Sequence, residues 1–238
     1  MYSSNGLCKI SNLLYMDQRE QNLRLKEAFE HGITYKSYSE LVQQYARQGK
    51  TSGEQKESYV GYTKLAAARQ RRWEKTYSPE VNFIDAIYDC KVKSEQWLIF
   101  TETWCGDAAH ALPFFNEWAI ATKIPMRIVF RDEYSELMDQ FLTDGSRSIP
   151  KWIRLNDHFE AVNNWGPRPS ELMGHFKQWK AEPDFDKSEW SLFAQDWYNK
   201  NKRRALENDI FDLMRSDLVC KWYYLLFLRF KNIFSNVL

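Results

Sequence analysis

Glycine and proline are scarce, nine and seven among 238 residues. Their shortage excludes a chain built from many tight turns or from low-complexity linker. Cysteine is scarce too. Cys8, Cys90, Cys105 and Cys220 form no close pair and no zinc-ligand spacing, so a dense disulfide framework and a metal site are not expected. Free thiols in a reducing, cytoplasmic setting are expected instead. Net charge is nearly absent, 33 Lys and Arg against 32 Asp and Glu, which leaves no electrostatic footprint for nucleic acid.

Long apolar runs are missing as well. The N-terminal MYSSNGLCKISNLLY has one lysine and no apolar core suited to a secretory signal. It reads as a disordered extension over residues 1–15, with Met16 a candidate start. The C-terminal CKWYYLLFLRFKNIF is apolar but interrupted by Lys221, Arg229 and Lys231. It falls short of the roughly 20 apolar residues that span a bilayer. Residues 216–238 read as an apolar tail of uncertain role: a helix packed on the core first, an atypical or disordered tail next, with contact to a membrane surface through 217–238 the least of the three.

What is present is a folded protein's composition: 44% hydrophobic and 16% aromatic residues, in a chain long enough to bury a substantial core. Helical periodicity covers 17–31 (Leu23, Leu25, Phe29), 35–48 (Tyr35, Tyr38, Leu41, Val42, Tyr45) and 56–75 (Tyr59, Tyr62, Leu65, Ala66, Arg69, Trp73). GKTSGEQ at 49–55 is a loop by composition. The arginines 69, 71 and 72 read as a solvated helix face, with phosphate binding the lesser alternative. SPEV at 78–81 starts a helix capped by Ser78, running to about Cys90 with Phe83, Ile84, Ile87 and Tyr88 inward.

The pattern then changes. WLIFTE (97–102), MRIVFRD (126–132), KWIRL (151–155) and FEAVNNW (159–165) have strand character. Helices are predicted over ALPFFNEWAIAT, with a kink at Pro113, over 134–144, over 170–180, and as one long helix from about Ser188 to Arg215. This order implies a parallel pair joined by a crossover, plus an antiparallel hairpin.

The chemistry-bearing stretch is TETWCGDAAH (101–110). Cys105 falls where a strand gives way to a helix, and unpaired N–H groups at a helix start favour a thiolate. Asp107 opposes this, because a nearby anion raises a thiol pKa. A second thiol one helical turn on could attack a mixed disulfide at Cys105, but positions 108 and 109 are alanines. Intramolecular dithiol exchange is therefore excluded unless the fold brings Cys90 close, and single-thiol chemistry remains: a mixed disulfide or a sulfenic acid. His110, five positions on, faces about 140° away on a helix of ~100° per residue. It reads as a partly exposed surface histidine, with a catalytic role the alternative. In RSIPKWIRL (147–155), Pro150 opens a strand and is a candidate cis proline, beside which the Ile149 backbone can meet a substrate chain.

WCGDAAH and SIPKWIRL together resemble the thioredoxin superfamily. More closely, the chain resembles a functionally uncharacterised thioredoxin-like family of bacterial proteins with TEDWCGDAAQ-type motifs. ITYKSYSELVQQYARQGKTSG, LAAARQRRWEKT, WGPRP and QDWYNKNKRRALENDIF extend the likeness in order over about residues 20–215. The resemblance implies an α/β thioredoxin-like fold: a central mixed sheet flanked by helices, with a helical N-terminal extension and a long C-terminal helix. It implies one domain over 16–215 that includes the helices of 17–91. Trp104 and Cys105 match the start of the redox motif, Gly106 and Asp107 its middle, and Pro150 the cis proline; Ala108 departs from a working dithiol site. His110 stands where a Gln is commoner. The expectation is a single-cysteine protein that exchanges thiols with glutathione or a protein disulfide through Cys105, without cofactor or metal. The alternative is a protein-binding module of the same fold lacking redox activity.

Overall fold

The computed structural model describes residues 16–92, 94–201 and 203–216; the extension 1–15 and the tail from 217 on lie outside them. Three helices lead: α1 (Gln18–His31), α2 (Tyr35–Gln48) and α3 (Glu57–Thr76). Asp17 accepts the Glu20 N–H at 2.8 Å and Thr34 accepts the Ser37 N–H at 3.2 Å, so α1 and α2 start at side-chain caps. Gly49 ends α2 at φ +64°, a left-handed position that suits glycine.

Helix α4 (Val81–Cys90) begins three residues after Ser78 and carries no side-chain cap, so the capping role expected of Ser78 is not used. Then come β1 (Gln96–Thr101), α5 (Gly106–Thr122), β2 (Met126–Phe130), a short α6 (Ser135–Met138) continued by a 3-10 turn to Phe141, β3 (Lys151–Leu155), β4 (Ala161–Trp165) and α7 (Ser170–Ala181). The expected long C-terminal helical stretch is present as two pieces, α8 (Lys187–Asn201) and α9 (Arg204–Arg215). The Asn201 side chain accepts the Ala205 N–H at 3.0 Å. Such a side chain offers the backbone an alternative to the helical bond, and the helix restarts there.

The sheet order is β2-β1-β3-β4. β1 and β2 are parallel, β1 and β3 antiparallel, and β3 and β4 form the antiparallel hairpin. The outer edge of β2 is met by Ile33, which exchanges two 2.9 Å backbone hydrogen bonds with Ile128. The link between α1 and α2 thus covers an edge that would otherwise invite pairing.

Residues 97–100 of β1 are fully buried, as are Trp118, Trp152, Phe114 and Phe115. Helix α5 is buried from Ala108 through Phe115. A helix apolar all round has neighbours on every side: here the sheet on one side and α3 on another. The buried face of α3 is Thr63, Ala66, Ala67, Gln70 and Trp73, whereas Tyr62 and Leu65 are exposed. Tyr88 is exposed too, unlike its expected inward neighbours Ile87, Phe83 and Ile84. Large apolar side chains dominated the predicted stripe, but close approach of α3 to α5 selects small ones. A second apolar cluster joins α7 and α8 through Leu172, Trp190, Ala194 and Tyr198. No helix of the described residues is long and apolar enough to cross a membrane.

Candidate functional site

Cys105 caps α5 and sits between two elements that hold it from opposite sides. Its Sγ receives the Ala108 N–H at 3.4 Å, and the thiol donates to the Ile149 carbonyl at 3.4 Å. The Ile149–Pro150 peptide bond is cis, as is Gly166–Pro167. Two sequence motifs about 45 residues apart are therefore joined at one sulfur atom.

The loop that delivers Cys105 is fixed by a segment read as plain loop. The Ser52 N–H donates to Thr103 Oγ1 at 2.8 Å, and the Thr103 N–H donates to Ser52 Oγ at 2.9 Å. Thr63 donates to Thr51 at 2.9 Å behind them. Ser52 also donates to the Glu102 carboxylate, whose other oxygen takes the Asp132 N–H at 3.0 Å. Tyr38 closes the set by donating to the Glu102 carbonyl at 3.1 Å. Tyr38, Thr51, Ser52, Thr63, Glu102 and Thr103 are all buried and hydrogen-bonded, which makes such a network rigid.

Cys105 is only 5% exposed. Burial pushes its thiol up to about 12, and the Asp107 charge adds to this; the Ala108 N–H, Arg168 and the Asp107 N–H pull the other way without winning. Thus desolvation and the neighbouring anion outweigh the helix start. Asp107 is itself engaged: Arg168 pairs with Oδ2 at 2.8 Å, and Tyr198 donates to Oδ1 at 3.0 Å. Burial works against the Arg168 charge, but Asp107 more than offsets it and the guanidinium is held above its usual range. Asp107→Asn is expected to lower the Cys105 pKa, because an anion is removed and Arg168 is left unneutralised. Burial still keeps it above the free-thiol value. Site-resolved alkylation against pH measures the shift; an unchanged or higher midpoint would contradict the assigned role of Asp107.

His110 is not the surface residue its sequence position implies. It is 2% exposed, because α3 and α8 enclose this side of α5. Trp73 Nε1 donates to its Nδ1 at 2.9 Å, and Tyr198 stacks on its ring at 4.0 Å and 10°. Burial, then Arg69 and Arg72, push its pKa down to about 3, so the ring is neutral with its proton on Nε2. That Nε2 has no partner that meets hydrogen-bond geometry, while the Gln195 side chain interacts with the ring and works against the downward shift.

These groups line a cavity of about 410 Å³. Its walls are α3 (Tyr59, Arg69), the start of α5, the strand opening at Ile149, Arg168, and α8 (Trp190, Tyr198). Trp104 stacks on Tyr59 at 4.5 Å and 12°, with Arg131 over its ring at 5.2 Å. Arg168 lies over Phe176 at 4.7 Å. Asp209 of α9 accepts from Trp165 Nε1 at 2.9 Å and from the Ser170 N–H at 2.7 Å, bracketing the turn that carries Arg168. All seven residues singled out in the sequence, Trp104, Cys105, Gly106, Asp107, His110, Ile149 and Pro150, are thus gathered in one place.

Sequence reasoning placed Arg69 on the solvated face of its helix and missed the roles of Arg168 and Tyr198. Arg71 and Arg72 do lie on an exposed face, but Arg69 turns into the cavity. No spacing signal marked it; only the packing of α3 against α5 does. Among the described residues no cluster could hold a metal ion. Of the cysteines described, Cys105 is free and Cys90 is disulfide-bonded. The expectation of free thiols throughout fails at Cys90, and the compartment argument built on it loses its footing.

A family model described as thioredoxin matches residues 52–180. This is narrower than the likeness seen over 20–215, and it ends within α7, so α8 lies beyond it. No curated protein matches. A Pseudomonas aeruginosa protein of unknown function superposes with a TM-score of 0.52 at 14% identity, covering 80% of this chain and 96% of that one. An HIV epitope scaffold gives 0.52 at 13% identity, with 80% and 97% covered. Both show the fold alone. The mixed sheet, the cysteine capping the helix after β1 and the proline opening β3 agree with a family match over more than half of the sequence: this chain belongs to the thioredoxin family.

Proposed function

We propose that this protein is a binding module of thioredoxin fold, whose cavity beside Cys105 receives a ligand and whose cysteine is a neutral thiol in the cavity wall. One observation carries the reading: the Cys105 thiol is buried and pushed up from 9.0 to about 12. The thiolate is the nucleophile. A thiol held that far above its ordinary range leaves almost no thiolate at neutral pH. No second thiol adjoins it, since 108 and 109 are alanines, and the resolving half of dithiol exchange has nothing to perform it.

The test is iodoacetamide labelling of the native protein across pH, with Cys105 followed by peptide mass spectrometry. Labelling is expected to be negligible near pH 7 and to rise only above pH of about 10. A midpoint below about 8.5 would overturn the reading.

Single-thiol exchange is the second reading. What favours it is the helix-start N–H of Ala108 pointing at Sγ, with the Ile149 carbonyl on its far side. In that chemistry the Cys105 thiolate attacks one sulfur of glutathione disulfide or of a protein disulfide. A mixed disulfide forms, and the other half leaves as thiolate. The same labelling profile separates the two readings.

A further inference from the structure

We propose that the cavity is a receptor for a small organic oxyanion, a carboxylate or phosphate, held by Arg69 and by the ring N–H groups of His110 and Trp104. This rests on the reading of the site as a binding cavity and names what it binds.

The polarity of the unmet groups is the first argument. The buried side-chain atoms of the cavity residues that lack a partner are Trp104 Nε1, His110 Nε2 and Arg168 Nε. Each is an N–H donor. The one acid lining the cavity, Asp107, has both oxygens taken by Arg168 and Tyr198. A ligand that satisfies these donors must be rich in acceptors, since a buried donor left unmet is costly.

The placement of Arg69 is the second argument. It lines the cavity half-buried, with no ion-pair or hydrogen-bond partner among the described residues. Its Nη1 occupies the space a side chain at Gly106 would need, since a Cβ there would stand 2.6 Å away. The guanidinium is therefore pressed against the positive end of α5, where the dipole opposes it. It has also lost hydration there. Arg131, Arg168 and Lys187 line the same cavity. Arg168 is paired with Asp107 and Arg131 with Asp132, which leaves Arg69 as a cation without an ion pair at a helix start, an arrangement that a bound oxyanion completes. The cleft volume of about 410 Å³ suits a small molecule, and the stacked Tyr59 and Trp104 rings supply an apolar wall for its body.

The experiment titrates the native protein with inorganic phosphate, acetate and benzoate, each at matched ionic strength. Trp104 and Trp190 serve as fluorescent reporters, and calorimetry is the second readout. Saturable binding is expected for at least one probe. Phosphate alone, or the carboxylates alone, identifies the headgroup. Arg69→Gln is expected to weaken that binding about tenfold or more, the loss of a charge-assisted pair. It should leave the ligand-free melting temperature unchanged or raised, because a cation without a partner is removed. Absence of saturation by all three probes, or equal affinity in Arg69→Gln, would overturn the proposal. Cys105 labelling in the same samples separates the failures. An inert Cys105 without anion binding sinks this inference alone. A reactive Cys105 sinks the binding-module reading, whether or not an anion binds.

Discussion

Gly166→Ala is expected to be the most damaging single substitution near the site. Gly166 has φ +124°, a region that L side chains rarely adopt. A Cβ there would stand 2.0 Å from the Pro150 carbonyl oxygen and 3.1 Å from its carbon. Both obstacles are backbone, so no rotamer change relieves them. Strain and overpacking together are expected to cost about 4 kcal/mol or more, a fall of roughly 10 °C in melting temperature for a chain of this size. The damage also reaches the site. Pro150 follows Ile149, whose carbonyl accepts the Cys105 thiol, so a displaced Pro150 exposes the sulfur. Urea denaturation and Cys105 labelling of one sample check both effects. Gly145→Ala is the control: φ is +73°, but nothing lies within 4 Å of the added Cβ. Its expected cost is the backbone penalty alone, about 1 kcal/mol. Equal stability of the two variants would show that the Pro150 turn can step back.

Arg154→Met is the second large effect. Arg154 and Glu95 are both fully buried side chains, paired at 2.8 Å. Arg154 also donates to the Cys90 carbonyl at 2.9 Å. Glu95 accepts the Val92 N–H at 2.8 Å and Trp97 Nε1 at 2.7 Å. Methionine fills much of the volume but strands a carboxylate in the core. Breaking such a pair from one side costs about 3–5 kcal/mol. Arg154→Met with Glu95→Gln is expected to be less destabilising than the sum of the two single changes, because the stranded charge is gone. A double-mutant cycle in urea measures the coupling, expected to exceed about 1 kcal/mol. Additive costs would mean that the pair is held by its other partners rather than by each other.

Much of the architecture was legible. The strands at 97, 126 and 151 are short apolar runs and the one within 159–165 a mixed run after a turn, and their order with the helices between them dictates a parallel pair and a hairpin. The caps at Asp17 and Thr34 and the stop at Gly49 are local, and local chemistry is visible in sequence. The stripe on α3 was misread at Tyr62 and Leu65 because periodicity finds a face but not its neighbour. Close packing on α5 prefers Ala66 and Ala67. The network of Thr51, Ser52 and Thr103 left no signal at all, since hydroxyl residues in a loop look the same whether solvated or buried.

By itself, the sequence determined that Cys105 stands at a strand-to-helix junction without a second sulfur, and that Pro150 begins a strand. These follow from residue identity and order, which folding cannot alter. The tertiary structure decided the state of that sulfur. Whether a thiol at a helix start is a thiolate depends on how much water reaches it and on which charges face it. Asp107 was visible beside it, but the burial and the Arg168 charge come from α3, from the turn at Arg168 and from α8, elements tens of residues away. Arg69, His110 and Tyr198 acquired their place by the same route: three residues with no common spacing, brought to one cavity where α3 and α8 meet beside the start of α5.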